Sequence, residues 1–240
     1  MSFRELSSKF PGNWEGSIEI CCEPKLDNIK NTLNFIDQNP KVWAAFGVHP
    51  HYSDNYTDEV ESHLLEAMKH PKTVAWGEMG LDYHYEYSPR DAQKAVFERQ
   101  LKCAVKCSKP LVIHIREAEE DAIRIMQKLV PASYPIHVHC FTSPTQYAEE
   151  LLKCWSNLYI GFTGVITFAK QLEKTVSSVP LNRILLETDA PFMTPLPHRG
   201  EVCHSGYIPL IAKKVADIKG LSLDSVYLKT RKNTTKVYQI

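Results

Sequence analysis

LVIHIREA, Leu111–Ala118, runs from apolar and β-branched residues straight into a histidine, an arginine and an acid. Such a run is strand-forming, and strand alternation puts Val112, His114 and Arg116 on one face. The same layout recurs on both sides of it. TVAWGEMGLDY (Thr73–Tyr83) carries Glu78 after Val74 and Trp76, IHVHCFT (Ile136–Thr142) carries His137 and His139, and ILLETDAP (Ile184–Pro191) carries Glu187 and Asp189. If these strands are parallel neighbours, Glu78, His114, His139 and Asp189 converge at one mouth, with Glu187 a layer deeper. An acid or imidazole there is costly to bury unless it is paired or metal-bound. Two histidines with two carboxylates suit a divalent cation and hydrolysis, and Asp189 is the candidate proton acceptor.

Further strand candidates are Ser17–Cys22, Val42–Val48 and Leu158–Phe162, and the four motifs place strands at Thr73–Glu78, Pro110–Ile115, Ile136–Cys140 and Arg183–Thr188. Amphipathic stretches lie between them. In Asp91–Lys106, for example, Phe97, Leu101, Ala104 and Val105 share one helical face. Regular alternation of strand and helix predicts parallel strands with helices outside. No glycine-rich phosphate loop is present, and reactive residues close several strands, so a barrel is favoured over a doubly wound sheet. The expectation is an α/β, TIM-like (β/α) barrel as a single domain over residues 1–240. Residues 1–15 would be an irregular or helical remnant, and residues 204–240 would supply the C-terminal helices. About seven strands are found where a closed barrel needs eight. The first strand is therefore expected to be missing, leaving two unpaired edges and a chain of marginal stability or prone to self-association.

The formal net charge is +0, with 43% hydrophobic and 23% charged residues. That composition sustains a core and lacks the basic footprint of a tight, indiscriminate nucleic-acid binder. The 7 cysteines include no CxxC pair, which fits reduced thiols better than a disulfide framework. Cys103 and Cys107, four apart, read as helix packing. The N-terminus lacks the apolar region of a secretory signal, and no run approaches a membrane span. A cytoplasmic or nuclear protein with no membrane partner is expected.

FGVHPHY, Phe46–Tyr52, follows another strand. Pro50 makes it a turn, and His49 and His51 could bind substrate phosphate, bind metal or cap that turn. Signatures of serine or cysteine nucleophiles are absent. Lys170 reads as a solvated lysine rather than a Schiff-base former.

In chain order, GEMGLDY (Gly77–Tyr83), PLVIHIREA (Pro110–Ala118), HCFT (His139–Thr142), GFTG (Gly161–Gly164) and ETDAP (Glu187–Pro191) closely resemble the TatD family of metal-dependent deoxyribonucleases. GVHPH at Gly47–His51 also fits, and the match runs from about Gly16 to the C-terminus. The resemblance implies a TIM-like barrel of the amidohydrolase type that binds two divalent metal ions (Mg, Mn or Zn). It also implies cleavage of phosphodiester bonds in DNA or RNA, often as a 3′→5′ exonuclease. On that resemblance Glu78 bridges two metals, His114 and His139 complete one site, and Asp189 binds the other metal and acts on the nucleophilic water. His49, His51 and Arg116 would lie near the scissile phosphate.

Two features depart from the family pattern. No D-x-H-x-H segment precedes Ser17, and Cys203–Gly206 (CHSG) stands where the family has Arg-Asn-Glu-Pro. Two readings follow from this: a TatD-type hydrolase, or a catalytically impaired barrel that keeps one metal on Glu78, His114 and His139 and serves as a binding module. A different hydrolytic reaction on a lactone, amide or small phosphoester is a third, because a ligand set alone does not choose the scissile bond.

Overall fold

The computed structural model describes residues 14–240; the N-terminal remnant expected over residues 1–15 lies mostly outside them. Strands and helices alternate as β1 (Ser17–Cys21), α1 (Leu26–Gln38), β2 (Val42–Phe46), α2 (Asp58–Ala67), β3 (Thr73–Asp82), α3 (Arg90–Lys106), β4 (Leu111–Arg116), α4 (Glu119–Leu129), β5 (Ile136–Val138), α5 (Thr145–Cys154), β6 (Leu158–Phe162), α6 (Glu173–Ser178) and β7 (Ile184–Leu186). Two helices end the chain, α7 (Ile208–Lys219) and α8 (Leu223–Tyr238). Gly220 closes α7 in the left-handed conformation at φ 62°, where glycine carries no Cβ penalty. Ser222 then caps α8 by accepting from the Ser225 N–H.

The seven strands among the described residues are all parallel and lie in the order β1 to β7. Strand alternation divides the core in two. Leu111, Ile113, Ile136, Val138, Leu158 and Ile160 point outward to the helices, where Phe97, Leu101 and Ala104 meet them. Ala45, Val112, Tyr159 and Leu185 point inward and pack against Val237 and Tyr238 from the end of α8. The inner face is thereby plugged from below, and the reactive side chains occupy the other end.

The described strands form a seven-stranded curled sheet, with β1 and β7 as its ends. Helix α8 holds both of them. Asn233 donates to the carbonyls of Leu181 and Ile184 at the β7 end, and Arg231 pairs with Glu15 just before β1. Ile18 and Ile20 of β1 pack against the same inner cluster as Tyr238.

Most strand boundaries agree with the sequence reading to within one or two residues. The exception is β3, which continues to Asp82 instead of ending at Glu78. The cause is a bulge: Trp76 pairs with Leu111 and Met79 with Ile113, so Gly77 and Glu78 together face Val112. Gly77 and Gly80 sit at φ 152° and 153°. A Cβ on Gly77 would lie 2.4 Å from the Val112 carbonyl oxygen, and one on Gly80 would lie 1.9 Å from that of His114. Only glycine permits β3 to pass β4 this closely. Strand β7 shows the opposite deviation. It stops at Leu186, so Glu187 and Asp189 are set by irregular backbone rather than by strand alternation.

Candidate active site

The bulge in β3 aims Glu78 across the mouth. Its Oε1 lies 2.7 Å from His114 Nδ1 on β4, 3.7 Å from His49 Nε2 after β2 and 3.9 Å from His139 Nε2 after β5. One carboxylate thus faces imidazoles from three strand ends. Asp189 Oδ1 stands 3.4 Å from His139 Nε2. The four residues singled out at strand ends are therefore brought together.

His49 caps the turn after β2, its Nδ1 accepting from the His51 N–H, and this turns Nε2 toward Glu78. His51 points instead to Asp82, with 2.9 Å between Nε2 and Oδ2. Arg116 ends β4 with its guanidinium 4.8 Å from the centre of the Tyr85 ring. Lys170 is exposed at the start of a short 3₁₀ turn. Cys103 and Cys107 are unpaired thiols packed against the core.

Four contributors carry no signal singled out in the sequence. Asp82, beyond the expected end of β3, is buried, and its Oδ2 lies 3.2 Å from His114 Nε2 while Oδ1 accepts from the backbone N–H groups of His84 and Tyr85. Gln93 of α3 grips the backbone N–H and carbonyl of Asp82, and Gln100 grips those of Val48, next to His49. Tyr238, at the far end of the chain, places its hydroxyl 2.6 Å from His137 Nδ1. The glycines flanking Glu78 and the acid in LDY were the available signals for Asp82. The glutamines look like ordinary helix polar residues, and the tyrosine meets its partner only through tertiary contact.

Glu187 lies inside the mouth between two histidines. Its Oε2 is 2.6 Å from His139 Nδ1 and 3.2 Å from His137 Nε2, and its Oε1 accepts from the Cys140 N–H. The His137 Nε2 contact is close enough for attraction yet badly angled, and the atom is buried with no hydrogen-bond partner.

Electrostatics follow from these distances. Burial opposes charge on Glu78, yet the His139, His114 and His49 imidazoles outweigh it and hold the carboxyl well below the usual range. Burial also opposes charge on His114, but hydrogen bonds to Asp82 and Glu78 push it up to about 9. His139 is likewise driven well above its ordinary value, against burial, by Glu187, Glu78 and Asp189. His49 goes the other way: burial, then the neighbouring His114 charge, lower it to about 3. Burial pushes the Cys140 thiol up to about 12, which keeps it neutral.

This donor set fits a divalent cation. His49, Glu78 and His114 have ligand atoms within 4.8 Å of one another, as do His137, His139 and Glu187, and His139, Cys140 and Asp189. Carboxylate and imidazole together suit Zn or Mn, and the surplus of acid suits harder ions. Without a metal the cluster balances its carboxylates with protonated imidazoles, a positive charge that a cation would replace.

The chain is similar to several known proteins. The family model for TatD related DNase matches residues 6–239. The human 3′-5′ RNA nuclease TATDN2 is 41% identical over 246 residues, covering 99% of this chain but 32% of that protein. This chain thus spans about a third of that relative's length. An uncharacterized metal-dependent hydrolase of Bacillus subtilis, YabD, is 35% identical over 214 residues, covering 88% of this chain and 83% of its own. In fold, the chain is similar to the TatD homologue YJJV of Escherichia coli, with a TM-score of 0.88 at 22% identity over 98% of this chain and 90% of the other. The chain belongs to the TatD related DNase family.

Proposed function

We propose that the chain is a metal-dependent hydrolase that cleaves phosphodiester bonds of single-stranded DNA or RNA, removing nucleotides from the 3′ end. The observation that carries this reading is Glu78, which faces imidazoles from three different strand ends within 3.9 Å. Two relatives support the polymer and the direction: one is named a 3′-5′ RNA nuclease and another, from Erwinia tasmaniensis, a 3′-5′ ssDNA/RNA exonuclease. The near-complete donor set argues against the alternative of a catalytically impaired binding module.

Of the expected ligands, Glu78 and His114 would hold one divalent cation together with His49, which the resemblance read from the sequence sets beside the phosphate, and His139 with Asp189 would hold a second. Bound there, the ions supply Lewis acidity that neutralises phosphate charge and acidifies water. The chain's own groups do the rest. Asp82 and Glu187 hold the imidazoles in orientation, as outer carboxylates do around metal-ligating histidines. Asp189, whose side chain is 32% exposed, reaches the mouth and would accept the proton of the attacking water. Arg116 and His51 would hold the phosphate beside it, the arginine through paired N–H donors. Among the described residues no helix is long and apolar enough to cross a membrane, and the unpaired thiols fit a reducing cytoplasmic or nuclear setting.

The test is cleavage of one oligonucleotide sequence, made as DNA and as RNA and labelled at either end, with Mg²⁺ or Mn²⁺. A ladder of progressively shorter 5′-labelled products supports removal from the 3′ end. No cleavage of either polymer with any divalent cation rejects the proposal.

A further inference from the structure

The loop after β3 presents aromatic rings that the hydrolytic centre itself does not use. Tyr87 is 68% exposed and Tyr85 40%. Their rings are stacked, 5.5 Å between centroids and 12° from parallel. His51 meets both edge-on, at 4.9 Å from Tyr87 and 5.7 Å from Tyr85. The same His51 reaches Asp82, and Asp82 reaches His114, so the rings adjoin the candidate active site.

The loop is anchored at both ends. Asp82 Oδ1 accepts from the N–H groups of His84 and Tyr85, and Gln93 donates to the Ser88 carbonyl. The Arg116 guanidinium packs on the Tyr85 ring, and among the described residues it has no carboxylate partner. A guanidinium without an acid, next to a phosphodiester-cleaving centre, is complementary to phosphate. Two parallel, solvent-facing phenol rings are complementary to the flat face of a base.

We propose that Tyr85 and Tyr87 form a stacking platform for a nucleobase of a single-stranded nucleic acid, with the adjoining phosphate on Arg116. The proposal rests on the nuclease reading for its choice of ligand, but the platform acts through binding alone. A duplex hides its base faces, so the strand must be single or frayed at this point. Every base has such a face, so the platform is tolerant of sequence.

The test uses a nuclease-resistant phosphorothioate hexathymidylate carrying fluorescein, and the same backbone with abasic sugars, each titrated with the 240-residue chain in Mg²⁺ and followed by anisotropy. The hexathymidylate should bind about tenfold or more tightly than the abasic strand. Tyr87→Ala should erase that preference, and Tyr87→Phe should keep it. The high exposure of Tyr87 makes its replacement harmless to folding, and the abasic comparison in the unaltered chain needs no variant at all. Equal binding of the two strands, no binding of either, or an undiminished preference in Tyr87→Ala overturns the platform. Preference for bases in a chain that cleaves nothing would instead reject the nuclease reading and leave the platform standing.

Discussion

On the β2–β4 side of the mouth, His114 sits between Glu78 and Asp82; on the β5–β7 side, His139 sits between Glu187 and Asp189. Both imidazoles thus have a carboxylate at each ring nitrogen, and both are raised in pKa. The supports differ. The first side is fixed by buried amides of α3, with Gln93 on Asp82 and Gln100 on Val48. The second is set by irregular backbone after a strand of 3 residues, and its outer acid is 32% exposed. A rigid side suits holding charge in place. The second side leaves one carboxylate open to solvent, as the proton-accepting role proposed for Asp189 requires. Glu78 is the residue that touches both.

Replacing His114 or His139 by Ala should each lower kcat/KM by more than about 100-fold, above the range for outer-shell partners. A chain that tolerates either loss would mean that only one side matters.

Next in size, Asp82→Asn and Glu187→Gln should each weaken Mn²⁺ binding by about 10–100-fold. Calorimetry would resolve which sites are affected. If one substitution weakens every site equally, the two sides are not separate cradles.

A smaller effect is expected from pH. The His114 value is raised to about 9, above the ordinary value of about 6.5, so this imidazole is protonated at neutral pH and must lose its proton to bind metal. Mn²⁺ affinity should therefore rise from pH 7 to about pH 9, with proton release visible when calorimetry is repeated in buffers of different ionisation enthalpy. Affinity flat across that range would show that His114 is not a ligand. In the metal-free chain the sign for stability is reversed. The stabilisation from this raised imidazole is fully present below about pH 6.5 and is lost as pH rises through about 9.

The least effect belongs to Tyr238→Phe, which removes one buried hydrogen bond to His137. It should cost about 1 kcal/mol in urea unfolding. A neutral result would mean that the tyrosine serves only as an apolar plug.

The legible parts of the molecule were those in which side-chain period and backbone agree. LVIHIR alternates cleanly, and β4 forms with Val112 inside and Ile113 outside. At Glu78 that agreement fails, because the bulge adds a residue and the strand runs on to Asp82. A reading by strict period two sets Val74, Trp76 and Glu78 on one face and ends the strand too early, so Asp82 is overlooked. In the structure Trp76 turns outward to Gln100 while Glu78 turns to the mouth. Glu187 was legible as a deeper acid because it precedes Asp189 by two, although the backbone there is no longer a strand. Contacts made across the fold, such as Gln100 with Val48 or Tyr238 with His137, have no local sequence signal. They arise when helices close over the sheet.

The most direct test of Glu78 as the joint between the two sides is to compare the unaltered chain with Glu78→Gln for Mn²⁺ stoichiometry and EDTA-sensitive cleavage of single-stranded oligonucleotide. The predicted result is metal-dependent shortening by the unaltered chain, with both cleavage and metal binding on the two sides lost in Glu78→Gln. Cleavage that survives EDTA, or a Glu78→Gln chain that binds Mn²⁺ and cleaves as before, would contradict it.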